Sequence, residues 1–514
     1  MNTNIAEISE DVQRYIKALE NFLSEYTGFS VELPLEASSE SPGLVTTGFS
    51  LKRPINYPYF DQFADRLVAK ILDILGENKI QEIDWEIFYT LKEKLSLSFI
   101  FGGINNAEEE FKRLSFIRDL IFVGSKTYES VPANIGVIYC DTNYLDTLKN
   151  RYNCELLLLK EPLNIKDFFI REKPFLRIID GETLNLLVNE EFLVIGLTRN
   201  ISNNESLSQQ IIDEFNKGRL SKNKNAVLEF IEDSIDNKMK HTEVFKRLKL
   251  QPLEGINEKK VEEILEQVIG LLKGGVRQAK VSEDGESLDF IYFKMENAKL
   301  SIYNNEDFII TFMNGEWKMK NYHLLQYVIL QHALIRTHIY LPLEDATKES
   351  EILSNAVKGM DILLNTIEKL ASTHESSIVM FLTDYQGFEQ VSYSLTEQDA
   401  KHLITNAPLK KREFDNLYLE VIKRDQHHLN LMEVNEKFLS NLCVVDGALV
   451  LDDTFNIISY GEVIDVSSKE TLGSTFGTGT NACEVASSNN GLTIKVSEDG
   501  EIKVYMNGRN IMTI

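Results

Sequence analysis

Two stretches near the C-terminal end of the chain combine residue types that could hold a metal ion and an anion. The first is VVDGALVLDD, residues 444–453, in which Asp446 opens a hydrophobic run. A carboxylate there, followed by Gly447 and Ala448, lets a ligand approach the backbone and can hold a divalent metal that helps to deprotonate a hydroxyl. On the tripeptide alone, a plain turn aspartate is the favoured interpretation.

The second stretch is GSTFGTGTNA, residues 473–482. Glycines with serine and threonine just before a helix supply backbone N–H groups and hydroxyls that suit phosphate. The lysine of a Walker A loop is absent, so this is not that motif. By itself the stretch is more typical of a flexible loop that leads into a helix capped by Thr480 or Asn481.

A third stretch, residues 492–506, predicts a strand, a Ser-Glu-Asp-Gly turn and a second strand. Its KVSEDGE sequence also occurs at residues 280–286, and an aromatic-Met-Asn-Gly sequence follows each copy, at 312–315 and 505–508. Asp-Gly and Asn-Gly are favoured in tight hairpins, so turn chemistry explains the echo better than duplication does. A diverged repeat stays open as the alternative.

Helical and strand patterns surround these stretches in the C-terminal part of the chain. Apolar residues at helical spacing predict a helix over 352–370, and the run SSIVMFL at 376–382 predicts a buried strand. A further helix is expected at about 396–404, and residues 413–442 have a mostly helical pattern. We therefore expect a domain at 350–514.

The earlier part of the chain alternates between helical and β-rich patterns. Helices are predicted at 12–26, where Gly28 ends the first, and at about 60–75 and 84–95. Residues 121–199 hold short β-rich runs: IGVIYC, CELLLL, FLRIID, LNLLV and FLVIGL. The predicted fold class is α/β and multidomain. It comprises an N-terminal α/β or α+β module at 1–200, a helical and β-rich segment at 201–349, and the C-terminal domain.

Composition excludes several classes of function. The 514 residues carry 54 basic and 79 acidic side chains, a net charge of −25, which disfavours binding to nucleic acid and to anionic membranes. No apolar run approaches a membrane span. The four cysteines are scattered without CxxC spacing, which predicts reduced thiols in a cytoplasmic protein.

Two groups of histidines could suggest metal sites. His323, His332 and His338 are nine and six residues apart, which is not a helical ligand spacing, so satisfied or surface histidines are the favoured interpretation over a metal site. His427 and His428 are adjacent and must point in different directions, which favours surface histidines.

Taken together and in this order, D-G-A, then G-T before an alanine-bearing helix, then a strand ending V-S-E-x-G-x-I, the motifs resemble the diadenylate cyclase (DAC) domain. The resemblance covers roughly residues 350–510, about a third of the chain. It implies a mixed sheet flanked by helices that binds ATP. It also implies that two such domains meet face to face and, with Mg²⁺ or Mn²⁺, join two ATP molecules into cyclic di-AMP.

The resemblance also implies roles for individual residues. Asp446 corresponds to the residue that binds the metal and the 3′-hydroxyl, and Gly447 and Ala448 complete that motif. The pair Gly477 and Thr478 matches the G-T of the second motif, and Ser497 and Glu498 match the strand end that borders the nucleotide pocket.

The chain departs from the family at one place. The second motif continues Arg-His-Arg in the family, whereas here the three residues are Gly479, Thr480 and Asn481. Charge-assisted contacts to phosphate are about twice as strong as neutral ones, so this loss should remove most of the triphosphate stabilisation. Between 442 and 508 the basic residues are Lys469, Lys495 and Lys503, among which no substitute is obvious. Residues 410–412, Lys-Lys-Arg, could reach the pocket from this chain or a partner.

Three hypotheses follow from the match and the departure. The preferred one is a degenerate DAC-like domain that binds or senses a nucleotide, ATP or a cyclic dinucleotide, with Mg²⁺ or Mn²⁺, in a homo-oligomer. The second is an active, divergent dinucleotide cyclase. The third is a non-enzymatic dimerisation scaffold.

Overall fold

The computed structural model describes most of the chain. The described residues are 10–32, 35–37, 44–46, 50–51, 58–75, 85–103, 106–128, 131–171, 174–201, 206–219, 289–306, 308–340, 346–382, 397–410, 416–425, 427–467, 478–488 and 491–514. Contacts between Cα atoms divide the chain into two compact units. Unit 1 comprises Met1–Arg53, Tyr59–Lys222 and Ser282–His323, and unit 2 comprises Pro54–Pro58, Asn223–Val281 and Leu324–Ile514. The predicted division at residues 200 and 349 stays a prediction.

The described helices are numbered in chain order. They are α1 Glu10–Thr27, α2 Pro58–Leu75, α3 Trp85–Phe101, α4 Ala107–Gly124, α5 Leu145–Tyr152, α6 Ile165–Arg171, α7 Phe175–Ile178, α8 207–219, α9 Tyr322–Tyr340, α10 Ala346–Thr373, α11 Glu397–Asn406, α12 Asn416–Glu420, α13 Glu436–Cys443 and α14 Thr478–Ala486. Short 3₁₀ turns lie at Thr142–Tyr144 and Leu431–Glu433.

The strands are numbered in the same way. They are β1 Val31–Glu32, β2 Leu35–Ala37, β3 Leu44–Thr46, β4 Ser50–Leu51, β5 Thr127–Tyr128, β6 Val131–Pro132, β7 Ile135–Cys140, β8 Cys154–Leu163, β9 Leu184–Val188, β10 Val194–Asn200, β11 Phe290–Glu296, β12 Lys299–Tyr303, β13 Ile309–Met313, β14 Glu316–Lys320, β15 Ser377–Leu382, β16 Lys423–Arg424, β17 His427–His428, β18 Ala448–Asp452, β19 Ile457–Glu462, β20 Leu492–Val496, β21 Ile502–Met506 and β22 Arg509–Thr513.

Unit 1 is built on an eight-stranded mixed sheet with the order β14-β13-β12-β11-β7-β9-β10-β8. Strands β7 and β9 are parallel, and β7 pairs on its other side with the antiparallel β11, so that Cys140 lies opposite Phe290. Tyr292 of β11 is fully buried, and its hydroxyl donates to Asn185 Oδ1 at 3.2 Å. The core of this sheet therefore joins strands that are far apart in the sequence.

Unit 2 is built on a six-stranded sheet with the order β19-β18-β15-β20-β21-β22. Strands β15 and β18 are parallel, and their other neighbours are antiparallel. One face packs on α11 and α14 through a cluster that includes Met380, Val450, Leu403 and Val485. Both sheets are mixed and carry helices, which confirms the predicted α/β class.

Several local predictions are confirmed. The first helix ends at Gly28, whose φ is 77°, and the long helix before β15 is α10. The Asn-Gly pairs form tight turns with positive φ at both positions, 54° and 85° at Asn314 and Gly315, and 52° and 73° at Asn507 and Gly508. Residues 220–288, which include much of the predicted segment 201–349 and the first KVSEDGE copy, lie outside the described residues.

Two segment predictions are wrong. The run FLRIID was expected among the strands, but Phe175–Ile178 is helical, because Pro174 presets the first helical turn with a φ of −57°. Residues 413–442 were expected to be mostly helical. They contain α12, a 3₁₀ turn and most of α13, but the two-stranded ribbon of β16 and β17 separates these helices, and Asp425 in its turn has a φ of 57° that no right-handed helix accepts.

The histidine predictions have a mixed outcome. His323 and His332 are buried on α9, and His332 Nε2 lies 3.1 Å from Asp453 Oδ1. His427 is exposed, but His428 is buried and its Nδ1 lies 2.8 Å from the Ile457 carbonyl, which corrects the surface assignment. Burial lowers the pKa of His428. The four cysteines are buried free thiols.

Candidate functional site

The Asp446 corner lies between the end of α13 and the start of β18. Asp446 is exposed, whereas Ala448 is fully buried as the first residue of the strand. Gly447 has a φ of 113°, and a Cβ at this position would lie 2.5 Å from the Gly461 carbonyl carbon and 2.8 Å from Glu462 N. Only glycine therefore allows β18 and β19 to meet this closely at the corner.

The end of β19 completes the corner. Ala448 pairs with Glu462, and the register shifts before Val450 because the chain bulges near Gly461, which has a φ of 62°. Glu462 is buried, and its Oε1 accepts a hydrogen bond of 2.5 Å from Ser459 Oγ. A second acidic residue thus lies opposite Ala448 at the corner, with its carboxylate bonded to Ser459, a feature that the sequence motifs did not indicate.

Two tyrosines brace the corner from the side of α12. The rings of Tyr418 and Tyr460 are stacked, with centroids 4.1 Å apart and planes 14° apart. Each hydroxyl donates to the other residue's carbonyl oxygen, at 2.9 Å from Tyr460 to Tyr418. Tyr418 also covers Gly461, since a Cβ on this glycine would lie 2.6 Å from the tyrosine hydroxyl.

The second predicted motif lies at the start of α14. Gly477 is outside the described residues, and Thr478 is the first residue of the helix. Gly479, Thr480 and Asn481 form the first turn and are partly buried. The first N–H groups of a helix have no partner within the helix, so this turn offers donors to an anion.

Lys495 on β20 provides positive charge at this turn. Its Nζ lies 3.5 Å from Thr480 Oγ1 and 3.6 Å from the position of a Cβ on Gly479. Thr480 also bonds to Tyr505, and burial raises the pKa of this tyrosine to about 12. Sequence reasoning did not assign Lys495 to the site. The available signal was its position between the buried Ile494 and Val496, which turns Lys495 to the opposite face of the strand, where α14 packs.

The two motifs lie along one row of the sheet. Ala448 pairs with Ile378, and Ile378 pairs with Lys495, so the corner and the lysine are two strands apart. Two inter-strand spacings amount to about 10 Å. Ala448, Ile378 and Lys495 share one face because directly paired residues point to the same side.

The third motif lies at the end of the sheet where β18 begins and β20 ends. Val496 pairs with Ser377, so Ser497 and Glu498 follow β20 at the edge where Asp446 precedes β18. Ser497 N donates to the Glu501 carbonyl at 2.9 Å, which closes the hairpin turn. Glu498 is exposed, and its carbonyl oxygen lies 3.0 Å from His374 Nδ1.

The first residue of the basic run at 410–412 lies at this same end of the sheet, next to the end of β19. Lys410 N donates to the Val463 carbonyl at 2.8 Å, just beyond the end of β19, and the lysine is exposed. Residues 411 and 412, like Lys469, lie outside the described part of the chain. The charged residues described here include the cations Lys410 and Lys495 and the carboxylates Asp446, Glu462 and Glu498.

Comparisons with known proteins give limited information. No family model matches the chain, and no curated protein matches it. Among solved structures, DacA from Staphylococcus aureus is similar over 30% of this chain and 87% of its own, with 17% identity and a TM-score of 0.19. A hypothetical membrane-spanning protein from Bacillus cereus is similar over 37% and 87%, with 13% identity and a TM-score of 0.19. These TM-scores are too low to transfer a fold or a function to this chain. Within the described residues, no helix has the length and apolar character needed to cross a membrane.

Proposed function

We propose that residues 350–514 form a DAC-like domain that binds a nucleotide, ATP or a cyclic dinucleotide, together with Mg²⁺ or Mn²⁺. Asp446 binds the metal, and the first turn of α14 with Lys495 binds phosphate. Nucleotide sensing, homo-oligomerisation and a cytoplasmic location belong to the same proposal.

The row that joins Ala448, Ile378 and Lys495 is the observation that carries this proposal. A carboxylate at one end of the row and a cation with the N-terminal turn of α14 at the other suit a ligand that has hydroxyl and phosphate groups about 10 Å apart. The three motifs are separated in the sequence, yet they lie together at the same end of the strands of this sheet.

The metal assignment fits the available ligands. No group of three or more His, Cys, Asp or Glu among the described residues could hold a metal by itself. Mg²⁺ commonly uses one or two carboxylates, with phosphate oxygens and water as its other ligands. Asp446 therefore requires a bound phosphate to complete the site, so metal and nucleotide should bind cooperatively.

Lys495 explains how binding can persist without the Arg-His-Arg sequence. One ammonium beside Thr480 replaces part of the positive charge that the family places on three residues. Charge-assisted hydrogen bonds are about twice as strong as neutral ones, so one cation supports binding. Synthesis needs more, because charge develops on the leaving pyrophosphate and calls for several donors.

Calorimetry with the full-length protein tests the proposal. ATP, ADP and cyclic di-AMP are titrated with and without Mg²⁺ and Mn²⁺, and Lys495→Met is compared with Lys503→Met. Lys503 is the matched control because it pairs with Lys495 on the next strand and forms an ion pair with Glu501 at 2.7 Å. We expect Lys495→Met to weaken binding at least tenfold, about 1.4 kcal/mol, and Lys503→Met to leave it unchanged.

Metal dependence provides the second comparison. Asp446→Asn should abolish the strengthening of binding by Mg²⁺, whereas Asp425→Asn should not, since Asp425 is exposed and asparagine tolerates its positive φ. If none of the nucleotides binds the wild-type protein, the proposal is wrong and the scaffold hypothesis is favoured.

The exposed carboxylate of Asp446 also favours a second candidate function, synthesis of a dinucleotide, in which Lys410 or basic residues of a second copy would have to supply the additional donors. Mass spectrometry after incubation with ATP or GTP and Mn²⁺ distinguishes the two. A cyclic or linear dinucleotide that disappears in Asp446→Asn would establish synthesis. Binding without product would leave nucleotide binding as the function.

A further inference from the structure

Unit 1 contains a cavity of about 640 Å³, a volume typical of small-molecule sites. Helix α2, the C-terminal end of α3, the ends of β7 and β11 and the loop after β12 form its walls. The lining residues are Arg66, Lys70, Ser98, Phe99, Ile100, Phe101, Gly102, Tyr139, Cys140, Asp141, Asp289, Phe290, Ile291, Asn304, Asn305 and Glu306. The cavity lies at the carboxyl end of β7, which is parallel to β9, and ligands of α/β proteins commonly bind at this end of parallel strands.

The sheet contributes two carboxylates to this cavity. Cys140 lies opposite Phe290, so the next position along the pair sets Asp141 opposite Asp289. Side chains at such positions have Cβ atoms about 5 Å apart. Asp141 Oδ1 accepts from Asn143 N at 2.7 Å, and Asp289 bonds to the Tyr144 hydroxyl. A carboxylate has about four acceptor sites, so these two side chains together can hold a ligand ammonium group.

The helices contribute two cations, one turn apart on α2. Lys70 Nζ donates to the Ser98 carbonyl at 2.8 Å and to Ser98 Oγ at 3.0 Å, which leaves one of its three protons to direct at a ligand. Burial lowers the pKa of Lys70, so an anion in the cavity would stabilise its charged form. Arg66 forms an ion pair with Glu306 at 2.7 Å.

Aromatic rings also line the cavity. Lys70 lies over the ring of Phe99, 4.6 Å from its centroid, and the rings of Phe101 and Tyr139 are 5.5 Å apart. Asn304 Nδ2 donates to the Phe99 carbonyl at 3.0 Å and fixes the loop after β12 against α3. These rings offer an apolar surface to the uncharged part of a ligand.

Three other ligand classes fit this lining less well. A polyphosphate would face the two sheet carboxylates, and an apolar ligand would desolvate charges on both sides. A metal ion lacks a suitable group of ligands among the described residues. We propose that the cavity binds a zwitterion of the amino-acid class, a free amino acid or a dipeptide, with its ammonium at Asp141 and Asp289 and its carboxylate at Lys70.

The first test uses the full-length wild-type protein. The common L-amino acids and a set of dipeptides are screened singly by thermal shift, and each compound that raises the melting temperature is titrated by calorimetry. We expect at least one to bind. Its amide, which lacks the carboxylate, and its N-acetyl derivative, which lacks the ammonium, should each bind at least tenfold more weakly.

Variants then locate the binding site. Lys70→Met and Asp289→Asn should each weaken binding at least tenfold, whereas Lys149→Met and Asp146→Asn, which change exposed residues of α5 outside the lining, should not. Circular dichroism checks that each variant is folded, and the derivative test needs no variant. The proposal is overturned if no compound of the panel binds, if both derivatives bind as well as the parent, or if the control variants lose as much affinity as the cavity variants.

This inference does not depend on the proposed nucleotide site. Nucleotide binding in unit 2 is measured with Lys495→Met and zwitterion binding in unit 1 with Lys70→Met, so either proposal can fail while the other holds.

Discussion

The two ends of strand β18 carry aspartates in opposite environments. Asp446, at the amino end, is exposed and stands beside a glycine with a φ of 113°. Asp452 and Asp453, at the carboxyl end, are 1% and 0% exposed. Asp452 Oδ1 accepts from Thr454 N and Thr454 Oγ1, each at 2.9 Å, and from Asn456 N at 2.8 Å, while Oδ2 accepts from Asn456 Nδ2 at 2.9 Å.

This contrast separates a carboxylate that is available to a ligand from one that holds the fold. Four donors satisfy Asp452, and Asn430 extends the network with Nδ2 bonds to the Thr454 carbonyl at 2.8 Å and to Asn456 Oδ1 at 3.1 Å. The turn is closed by Phe455, which is buried with a φ of 64° and packs on Gly359. The carboxyl end is therefore a hydrogen-bonded turn that stabilises the fold. The amino end is the one whose carboxylate is accessible to a ligand.

The largest effect should come from removing the buried carboxylate. Asp452→Ala leaves three buried donors without this acceptor, the backbone N–H groups of Thr454 and Asn456 and the Thr454 hydroxyl, and should lower the free energy of unfolding by about 4 kcal/mol. Asp446→Ala should change it by about 0.5 kcal/mol or less, because this side chain is exposed. Urea unfolding followed by fluorescence and circular dichroism measures both. Equal effects at the two ends would contradict the comparison.

The next largest effect should test how tightly Gly447 packs against β19 at the amino end. Gly447→Ala forces a non-glycine residue to a φ of 113° and drives its Cβ into the backbone of β19, which should destabilise unit 2 by about 3 kcal/mol. Gly479→Ala is the matched control, because its Cβ meets only the flexible end of Lys495 at 3.4 Å. In the first turn of α14 this control should be neutral or stabilising by about 0.5 kcal/mol. A Gly447→Ala protein as stable as the wild type would show that the corner is not tightly packed.

Helices and tight turns of this fold could be predicted from the sequence because their signals lie within a few neighbouring residues. Apolar spacing identified α1 and α10, and the Asn-Gly pairs identified the hairpin turns at 314–315 and 507–508, since both positions need positive φ. The secondary-structure prediction failed where the backbone conformation of a single residue outweighs the pattern of apolar residues around it. Pro174 makes Phe175–Ile178 helical despite its β-rich composition, and Asp425 interrupts the helical pattern of 413–442 with a ribbon turn.

The arrangement of the candidate site depends on pairings that no local pattern encodes. VVDGALVLDD contains three aspartates that the sequence alone cannot separate into exposed and buried. Lys495 reaches the first turn of α14 because β20 pairs with β15 in one register, and a shift by one residue would turn it to the other face. Glu462 is likewise opposite Ala448 only through the bulge in β19.

The last prediction concerns the pH dependence of stability, which tests how burial affects Asp452 at the carboxyl end. Burial raises the pKa of Asp452 from 3.8 to about 6, although its four donors favour the ionised form. Between about pH 4 and pH 6 the folded state then binds more protons at this residue than the unfolded state does, so its contribution to stability grows as the pH falls. Each unit of pKa shift corresponds to about 1.4 kcal/mol, so the full change across this window should be at most about 3 kcal/mol.

Asp452→Asn removes this titration and isolates it from the other carboxyl groups. The free energy of unfolding of the wild type minus that of Asp452→Asn should increase as the pH is lowered from 7 to 4, as measured by urea unfolding at each pH. Thr454→Ser retains the hydroxyl donor and the carboxylate, so its difference from the wild type should not vary with pH. A slope of the opposite sign would mean that the donors outweigh burial and hold the Asp452 pKa below 3.8. The hydrogen bonds to Asp452, rather than its burial, would then determine its ionisation.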